Sequence, residues 1–573
     1  MTDSQARVQA GALAAEALVE RGVDHVFFIA GGHTYPLHDA LDRAGVRMLS
    51  TRHEQAAVFM AEAWGRMTRK PGVAMVTAGP GFTNALTPVA NARLANSPLL
   101  LIAGVVGLGA CEKLDLQDMV QCAVINPMVK KSFICQKAER VHEFVDMAWR
   151  TCISGRPGPV YLELPIDILN TEVDRASVKK TNTVPEARVV DMGGARRLVE
   201  MLEESRKPVI IAGSGAYYSG AGRELAGFIE RTGAPVFTST QGRGVISDTH
   251  PLCFQSSLLI RPGCAGYANM NADLVVLLGN RISLYYGCGA LFNPAAKMVQ
   301  ADIEPEEIGR NHTVDLPVVS DIRELLRECN RLLDERKPGA QLKGRFAPWV
   351  EELREKEVPI KNLAKLQSES DALPMHPARL LREIDEFMNR DDDIVIADGG
   401  DTQIWAGISR TVRTEGHYLE SGIYGCLGVG IPYAIAAKML YPGKRVLNVI
   451  GDGSVGFNFM EFDTAIRKKI PVVVVINNDR GWGMIRHSQR IKLGRSIEEG
   501  TELGLIEYHR TVETMGGKGI LVEKPADIRP ALEEAFASGR PTCVNVLTDP
   551  AAMSPGAMAL AMVSGYKVDG LKM

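Results

Sequence analysis

"GDGSVGFNFMEFDTAIRKKIPVVVVINNDRGWGM", residues 451–484, pins an aspartate between two glycines and, one helix and one strand later, sets down two asparagines in a row. Val446 to Ile450, just before it, is an apolar β-type run, Phe459 to Ile470 has helical apolar spacing, and Pro471 to Ile476 is a β-branched run. A strand–helix–strand unit makes a right-handed crossover in a parallel sheet and brings the carboxyl ends of both strands to one edge, where open α/β sheets bind ligands. Asp452 and Asn478 are therefore expected to converge. A carboxylate, an amide oxygen and the bare carbonyl of the turn after Asn478 form the partial oxygen shell that a hard cation such as Mg²⁺ takes while sharing it with phosphates. Gly451, Gly453 and Ser454 let backbone N–H groups approach an anion at the start of the following helix. Either motif alone is ordinary turn punctuation. Together, at this spacing, they predict a metal and a diphosphate.

Working outward, 573 residues exceed one hydrophobic core and predict about three domains. Lys and Arg number 65 against 68 Asp and Glu, a net charge of −3, so nothing argues for nucleic acid or an anionic membrane as partner. Ten cysteines are scattered without Cys-x-x-Cys pairs, and those such as Cys135 and Cys152 sit in apolar surroundings. They read as reduced core thiols rather than a disulfide frame or zinc site. The N-terminus enters an amphipathic helix with no secretory signal, and no apolar run reaches membrane-spanning length, so the expectation is a cytoplasmic protein.

Strand and helix patterns alternate in three segments. Residues 1–170 carry β-type runs at Val26–Ile29, Arg47–Ser50, Val73–Thr77 and Leu99–Ile102; residues 190–335 repeat the alternation with "KPVIIAGSGA", "APVFTST", "ADLVVLLGN" and "KMVQADIEP"; residues 375–550 hold the opening motif. The fold class expected is α/β, three doubly wound parallel-sheet domains. The polar "NTEVDRASVKKTNTVPEARVV" reads as a linker, and residues 551–573 as a tail too apolar for a solvated terminus, either an interface element or a lid with Lys567 and Lys572 facing an anionic group.

The sequence from GDG to NN resembles the signature of thiamine diphosphate (ThDP) enzymes, in the branch of acetolactate synthase, benzaldehyde lyase and 2-hydroxyacyl-CoA lyase, and the resemblance covers essentially the whole chain. It implies a pyrimidine-binding, a middle and a diphosphate-binding domain. By resemblance Asp452, Asn478 and the carbonyl of Arg480 hold Mg²⁺, and Gly453, Ser454 and Asn478, with Asp401 and Thr402 of "DGGDTQIW", approach the diphosphate. "SGIYGCLGVG" fits the loop that bends the cofactor, with Leu427 under its waist and the Gly425 carbonyl toward its amino group. Glu54, opening a helix after a strand, reads on its own as an acid at a helix N-terminus. Arg-His-Glu at this place matches the activating glutamate, which trades a proton with the cofactor ring. Glu54 and Asp452 then grip opposite ends of one cofactor across a subunit interface, implying a homodimer or homotetramer.

Two further residues bear on the reaction. His33, after two glycines, matches the Gly-His of benzaldehyde lyase, and Gln117 its active-site glutamine; acetolactate synthases carry a different, proline-containing segment at the first position. Trp482, Met484 and His487 either wall the pocket or pack the core. Arg281, Asp302 and Asp321 stand where nucleotide-binding members place ribose and phosphate contacts, so the middle domain binds ADP, coenzyme A or FAD, or is purely structural; its "AGSGAYYSGAG" does not have G-x-G-x-x-G spacing. The expected activity is a Mg²⁺- and ThDP-dependent carbon–carbon lyase or carboligase acting on a 2-hydroxy ketone or a 2-hydroxyacyl-CoA. The alternatives are an acetolactate synthase-like enzyme, a 2-oxo acid decarboxylase or a non-catalytic regulator.

Overall fold

A computed structural model describes residues 7–181, 189–257, 263–335, 342 and 344–563. They form three six-stranded sheets, parallel throughout. The first runs in the order Arg47–Ser50, His25–Phe28, Gly72–Val76, Leu99–Val105, Pro159–Pro165, Lys131–Ile134. The second runs Cys253–Ser256, Val236–Thr238, Pro208–Ala212, Leu274–Leu278, Lys297–Asp302, Leu316–Val319, and the third Tyr418–Leu419, Ile394–Asp398, Val446–Gly451, Val473–Asn478, Thr542–Leu547, Lys518–Val522. Their inner strands, such as "LLLIAGV" and "LVVLL", are buried at every position. That unbroken apolar character is what a parallel strand covered by helices on both faces requires. The expected doubly wound α/β class is the observed one.

In each sheet the first strand sends its successors off to one side and later strands to the other, and this reversal places the carboxyl ends of two neighbouring strands at a topological switch point. In the first sheet it lies between His25–Phe28 and Gly72–Val76, in the second between Pro208–Ala212 and Leu274–Leu278, and in the third between Ile394–Asp398 and Val446–Gly451.

Two compact units hold these sheets. The first contains the N-terminal sheet together with Ser421–Pro442 and Asn458–Ile470. Within it, helix Gly430–Leu440 packs along helix Glu54–Thr68, with Tyr433 edge-on to Phe59 at 6.1 Å between ring centroids. A buried polar cluster crosses that contact. Asn91 donates to Glu62 at 3.0 Å and to the Tyr433 hydroxyl at 3.2 Å, Ser97 donates to Glu62 at 3.0 Å, and Arg66 donates to the Tyr433 hydroxyl at 3.3 Å. The second unit contains the other two sheets. There Arg243, fully buried, meets Asp248 at 2.5 Å and donates to the carbonyls of Gly407 and Arg410 at 2.8 and 2.7 Å, tying the loop after Val236–Thr238 to the end of helix Asp401–Ser409. Breaking such a pair by removing one partner costs about 3–5 kcal/mol, because the other charge is left buried and alone.

The local readings need three corrections. Residues Glu172–Asp174, assigned to a linker, form a strand antiparallel to Arg7–Gln9, because Val173 has a core to enter and the acids beside it do not. The strand expected at Pro471–Ile476 runs instead over Val473–Asn478, so both asparagines belong to it, and its partner Thr542–Leu547 pairs through to Asn478. Between the strands Asp452–Val455 makes a short helix of its own, and the longer helix covers only Glu461–Arg467.

Candidate active site

The first unit gathers Glu54, His33 and Gln117 around one loop, Thr77 to Gly81, at the reversal of its sheet. His33 Nδ1 and Thr77 Oγ1 share a hydrogen bond at 3.2 Å. Gly104 lets the histidine approach: a Cβ there would lie 2.6 Å from the His33 Cβ. Glu54, half-buried at the start of helix Glu54–Thr68, accepts from the Asn84 amide at 2.9 Å, and a Cβ on Gly81 would stand 3.5 Å from its other oxygen. Gln117 sits on the far side of the loop with φ +66°, a left-handed conformation a glutamine adopts only when its surroundings hold it there. A Cβ on Gly79 would meet the Gln117 Cβ at 2.9 Å, so Gly79, itself at φ +58°, is needed for the approach. Gln121 went unnoticed in the sequence. It is fully buried, accepts the Gly79 N–H at 2.8 Å and donates to Tyr161 at 2.8 Å, thereby fixing the loop from beneath. Its only signal was its place four residues after Gln117.

In the second unit Asp398, Gly451 and Asn478 end three adjacent strands. Asp452 is 2% exposed, and its Oδ1 has no hydrogen-bond partner. Burial and the neighbouring carboxyl of Asp479, to which it is hydrogen-bonded, push its pKa far above the usual carboxylate range. Asp479, the residue directly after the paired asparagines, is the acid the sequence reading passed over. Asn478 uses its amide nitrogen on Asn545 at 3.0 Å, and its oxygen accepts the Arg480 N–H at 3.2 Å. The Arg480 carbonyl accepts the Leu503 N–H at 2.9 Å. Ser454 donates to Asp398 at 2.6 Å, and Thr402 accepts from Asn477 at 2.9 Å, so both hydroxyls brace the strand ends. Trp482 and Met484 cover the glycine turns: a Cβ on Gly453 would meet the indole at 2.7 Å, and one on Gly400 the Met484 Cβ at 2.9 Å. Among the described residues no group of three His, Cys, Asp or Glu is arranged around a metal position, so a cation at Asp452 would draw on amide and carbonyl oxygens as well.

Asp401 lies beside this group but is held from two sides, by His487 Nδ1 at 2.9 Å and by the Ser554 hydroxyl at 2.5 Å. Ser554 thereby fastens the start of helix Pro555–Val563, which packs on helices Gly483–Leu493 and Asp401–Ser409. The expected lysines of a lid, Lys567 and Lys572, lie outside the described residues. In the first unit Gly425 is exposed with φ +72°, and Leu427 is half-buried two residues on. In the middle sheet Asp321 caps helix Ile322–Asp334 by accepting the Glu324 N–H at 3.1 Å, Asp302 accepts the Glu304 N–H at 2.9 Å, and Arg281 is half-buried after the strand Leu274–Leu278. At the reversal of that sheet the Gly213 and Gly215 amides donate to the carbonyls of Leu278 and Gly279, and a Cβ on Gly213 would come within 2.3 Å of the Gly279 carbonyl. No helix among the described residues is long and apolar enough to cross a membrane.

Comparison with known proteins gives the geometry its family. Residues 8–124 match the N-terminal TPP binding domain of thiamine pyrophosphate enzymes, 195–329 their central domain and 398–546 their C-terminal TPP binding domain. An acetolactate synthase large subunit of Mycobacterium tuberculosis is 33% identical over 562 residues, covering 97% of this chain and 98% of its own. A 2-hydroxyacyl-CoA lyase 2 of Homo sapiens is 30% identical, covering 95% and 91%, and a 2-hydroxyacyl-CoA lyase of Arabidopsis thaliana is 29% identical, covering 95% and 96%. With all three domains in order and relatives matched along nearly the full length, the chain belongs to the thiamine pyrophosphate enzymes and is a ThDP-dependent enzyme.

Proposed function

We propose that this enzyme is a Mg²⁺-dependent carbon–carbon lyase or carboligase acting on a 2-hydroxy ketone or a 2-hydroxyacyl-CoA. The observation that carries the reading is the pairing of His33 with Thr77 on the same loop that Glu54 and Gln117 face. Bound ThDP supplies a carbon acid whose conjugate base adds to a carbonyl and holds the electron pair left when the neighbouring carbon–carbon bond breaks. The protein's part is to move protons and orient the substrate. Glu54 exchanges a proton with the cofactor ring. In the tautomer in which His33 Nδ1–H donates to the Thr77 hydroxyl, Nε2 carries the lone pair that takes the proton from the substrate hydroxyl, a step suited to imidazole. Gln117 donates to the substrate oxygen.

Asp452 and Asn478, with the Arg480 carbonyl, would hold Mg²⁺, and the fit rests on the buried Asp452 Oδ1, which has no hydrogen-bond partner, in an acid that already lies beside Asp479. A divalent cation offsets the repulsion of such a pair and satisfies the open lone pairs. The backbone of Gly453 and Ser454, beside Asp401 and Thr402, receives the diphosphate, and Gly425 and Leu427 take the pyrimidine side. A second copy of the chain completes the site, making a homodimer or homotetramer. The middle domain is structural in this reading, supported by the use of Asp321 and Asp302 as backbone acceptors, and Arg281, Asp302 and Asp321 are the contacts in the alternative that it binds ADP, CoA or FAD. A cytoplasmic location accords with the scattered cysteines.

The identity to the acetolactate synthase favours a second reading, the joining of two 2-oxo acids. Incubating the holoenzyme with benzoin-type ketones, 2-hydroxyacyl-CoA esters and pyruvate separates the two. Aldehyde release from either of the first two substrates is expected. Acetolactate from pyruvate without cleavage of the others would replace the lyase reading with the synthase one.

A further inference from the structure

The turn that presents Glu54 is gripped by a helix from much later in the chain. Glu461, only 1% exposed, opens helix Glu461–Arg467 within the same unit. Its carboxylate accepts the Arg52 N–H at 3.0 Å and the Thr464 hydroxyl at 2.6 Å. Around it, the Arg52 side chain donates to Asp463 at 2.6 Å, and Arg467 donates to the Ser50 carbonyl at 2.7 Å and its hydroxyl at 3.1 Å. On the other side of the turn the His53 ring accepts the Gln55 N–H at 3.1 Å.

These contacts matter because a helix start carries N–H groups with no partner inside the helix, and an acid in the first turn is their natural acceptor. Glu54 is that acid. If its carboxylate turned back to cap its own helix, it would be withdrawn from chemistry. In Glu54's place His53 caps the helix by taking the Gln55 amide, while a second, buried carboxylate takes the Arg52 amide just ahead of the cap and so holds the turn. Glu54 is then left pointing at Asn84 and the Thr77–Gly81 loop.

We infer that Glu461 is a positioning residue for Glu54: by accepting the Arg52 N–H it fixes the helix entry and keeps the Glu54 carboxyl available for proton exchange. The inference rests on reading Glu54 as the exchanging acid. No proton passes through Glu461, so its loss acts on the geometry of the exchange and not on cofactor affinity.

The test is hydrogen–deuterium exchange at C2 of bound ThDP, measured by rapid acid quench and NMR for wild type, Glu54→Gln, Glu461→Met and Thr464→Val, alongside the melting shift each protein shows on adding ThDP and Mg²⁺. Glu461→Met keeps the length of the side chain but has no oxygen to accept the Arg52 N–H. Its exchange is expected to slow about 10²-fold, the cost of a roughly 1 Å misplacement, with the melting shift unchanged. Wild-type exchange in Glu461→Met overturns the proposal. Should that variant not fold, Thr464→Val decides, since it removes one hydrogen bond from Glu461 and nothing from Glu54: slowing of threefold or more supports the proposal, and an unchanged rate overturns it. Wild-type exchange in Glu54→Gln would instead bring down the reading of Glu54 itself, and the inference with it.

Discussion

His33 Nδ1 stands 3.2 Å from the Thr77 hydroxyl, across the two strands between which the first sheet reverses its winding. The hydrogen bond sets the plane of the imidazole, so removing either partner should affect substrate and not cofactor. His33→Ala is expected to lower cleavage kcat by about 10²–10⁴-fold, the usual contribution of a positioned acid–base group, with C2 exchange on ThDP unchanged. Thr77→Val should lower it less and shift its pH profile. Steady-state rates across pH 5.5–9 check both; an unaltered profile in His33→Ala would return the residue to a turn filler.

On the turn proposed to receive the diphosphate, Gly453 has no room for a side chain, since a Cβ would meet the Trp482 ring at 2.7 Å. Gly453→Ala should force the indole or the turn aside at a cost of about 1–3 kcal/mol, read by calorimetry as a 5- to 150-fold weaker ThDP affinity. Adding Trp482→Ala to the same chain should recover most of it. Failure of the second change to recover binding would mean that the glycine serves the backbone geometry alone.

Asp452→Asn makes opposite predictions for the empty and loaded protein. Without ligands the substitution removes an acid held against Asp479 in a buried place, so the melting temperature should hold or rise. With Mg²⁺ and ThDP at 100 times their wild-type Kd, the wild type gains about 2.7 kcal/mol by mass action and the variant gains none. Scanning calorimetry with and without the ligands reports both. A variant that keeps the full ligand-induced shift would contradict the metal role.

Acid stability should depend on His417. Its ring is buried, with Nδ1 3.1 Å from the Asp391 carbonyl and Nε2 3.0 Å from the Lys444 ammonium; burial first and then that ammonium lower its pKa. The folded chain therefore resists a proton that the unfolded chain accepts near pH 6.5. A depressed histidine pKa leaves stability intact above that pH and erodes it as pH falls toward the folded value. Urea melts at pH 7.5 and 5.5 should show a smaller loss in His417→Gln than in wild type. An equal loss would assign the acid sensitivity to other groups.

Much of this architecture was legible because parallel strands buried on both faces announce themselves as apolar runs. The runs Leu99–Ile102 and Val446–Ile450 needed no partner to be recognised, although the strands go on to Val105 and Gly451. The run beginning at Pro471 was misjudged in its ends, since strand length is set by pairing: Val473–Asn478 extends through two polar residues because Thr542–Leu547 pairs with it that far. Glu54, His33 and Asp452 stand after strands or between glycines, and it is the resemblance of their surroundings to known family motifs that singled them out. Gln121, Asp479 and Glu461 could not be singled out, because their roles depend on what the fold brings to them. Gln121 is defined by the Gly79 amide, Asp479 by Asp452, and Glu461 by a turn more than four hundred positions earlier.

The helix Gly430–Leu440 and the segment Asn458–Ile470 are encoded in the third stretch of the chain but folded into the first unit. Recombination between relatives is constrained accordingly. A chimera that imports residues 375–550 wholesale also imports Tyr433 and Glu461, and these must find Glu62, Asn91 and Arg52 in the host. Functional hybrids should be those that exchange these partners together, so inheritance follows the contacts rather than the linear order of the gene.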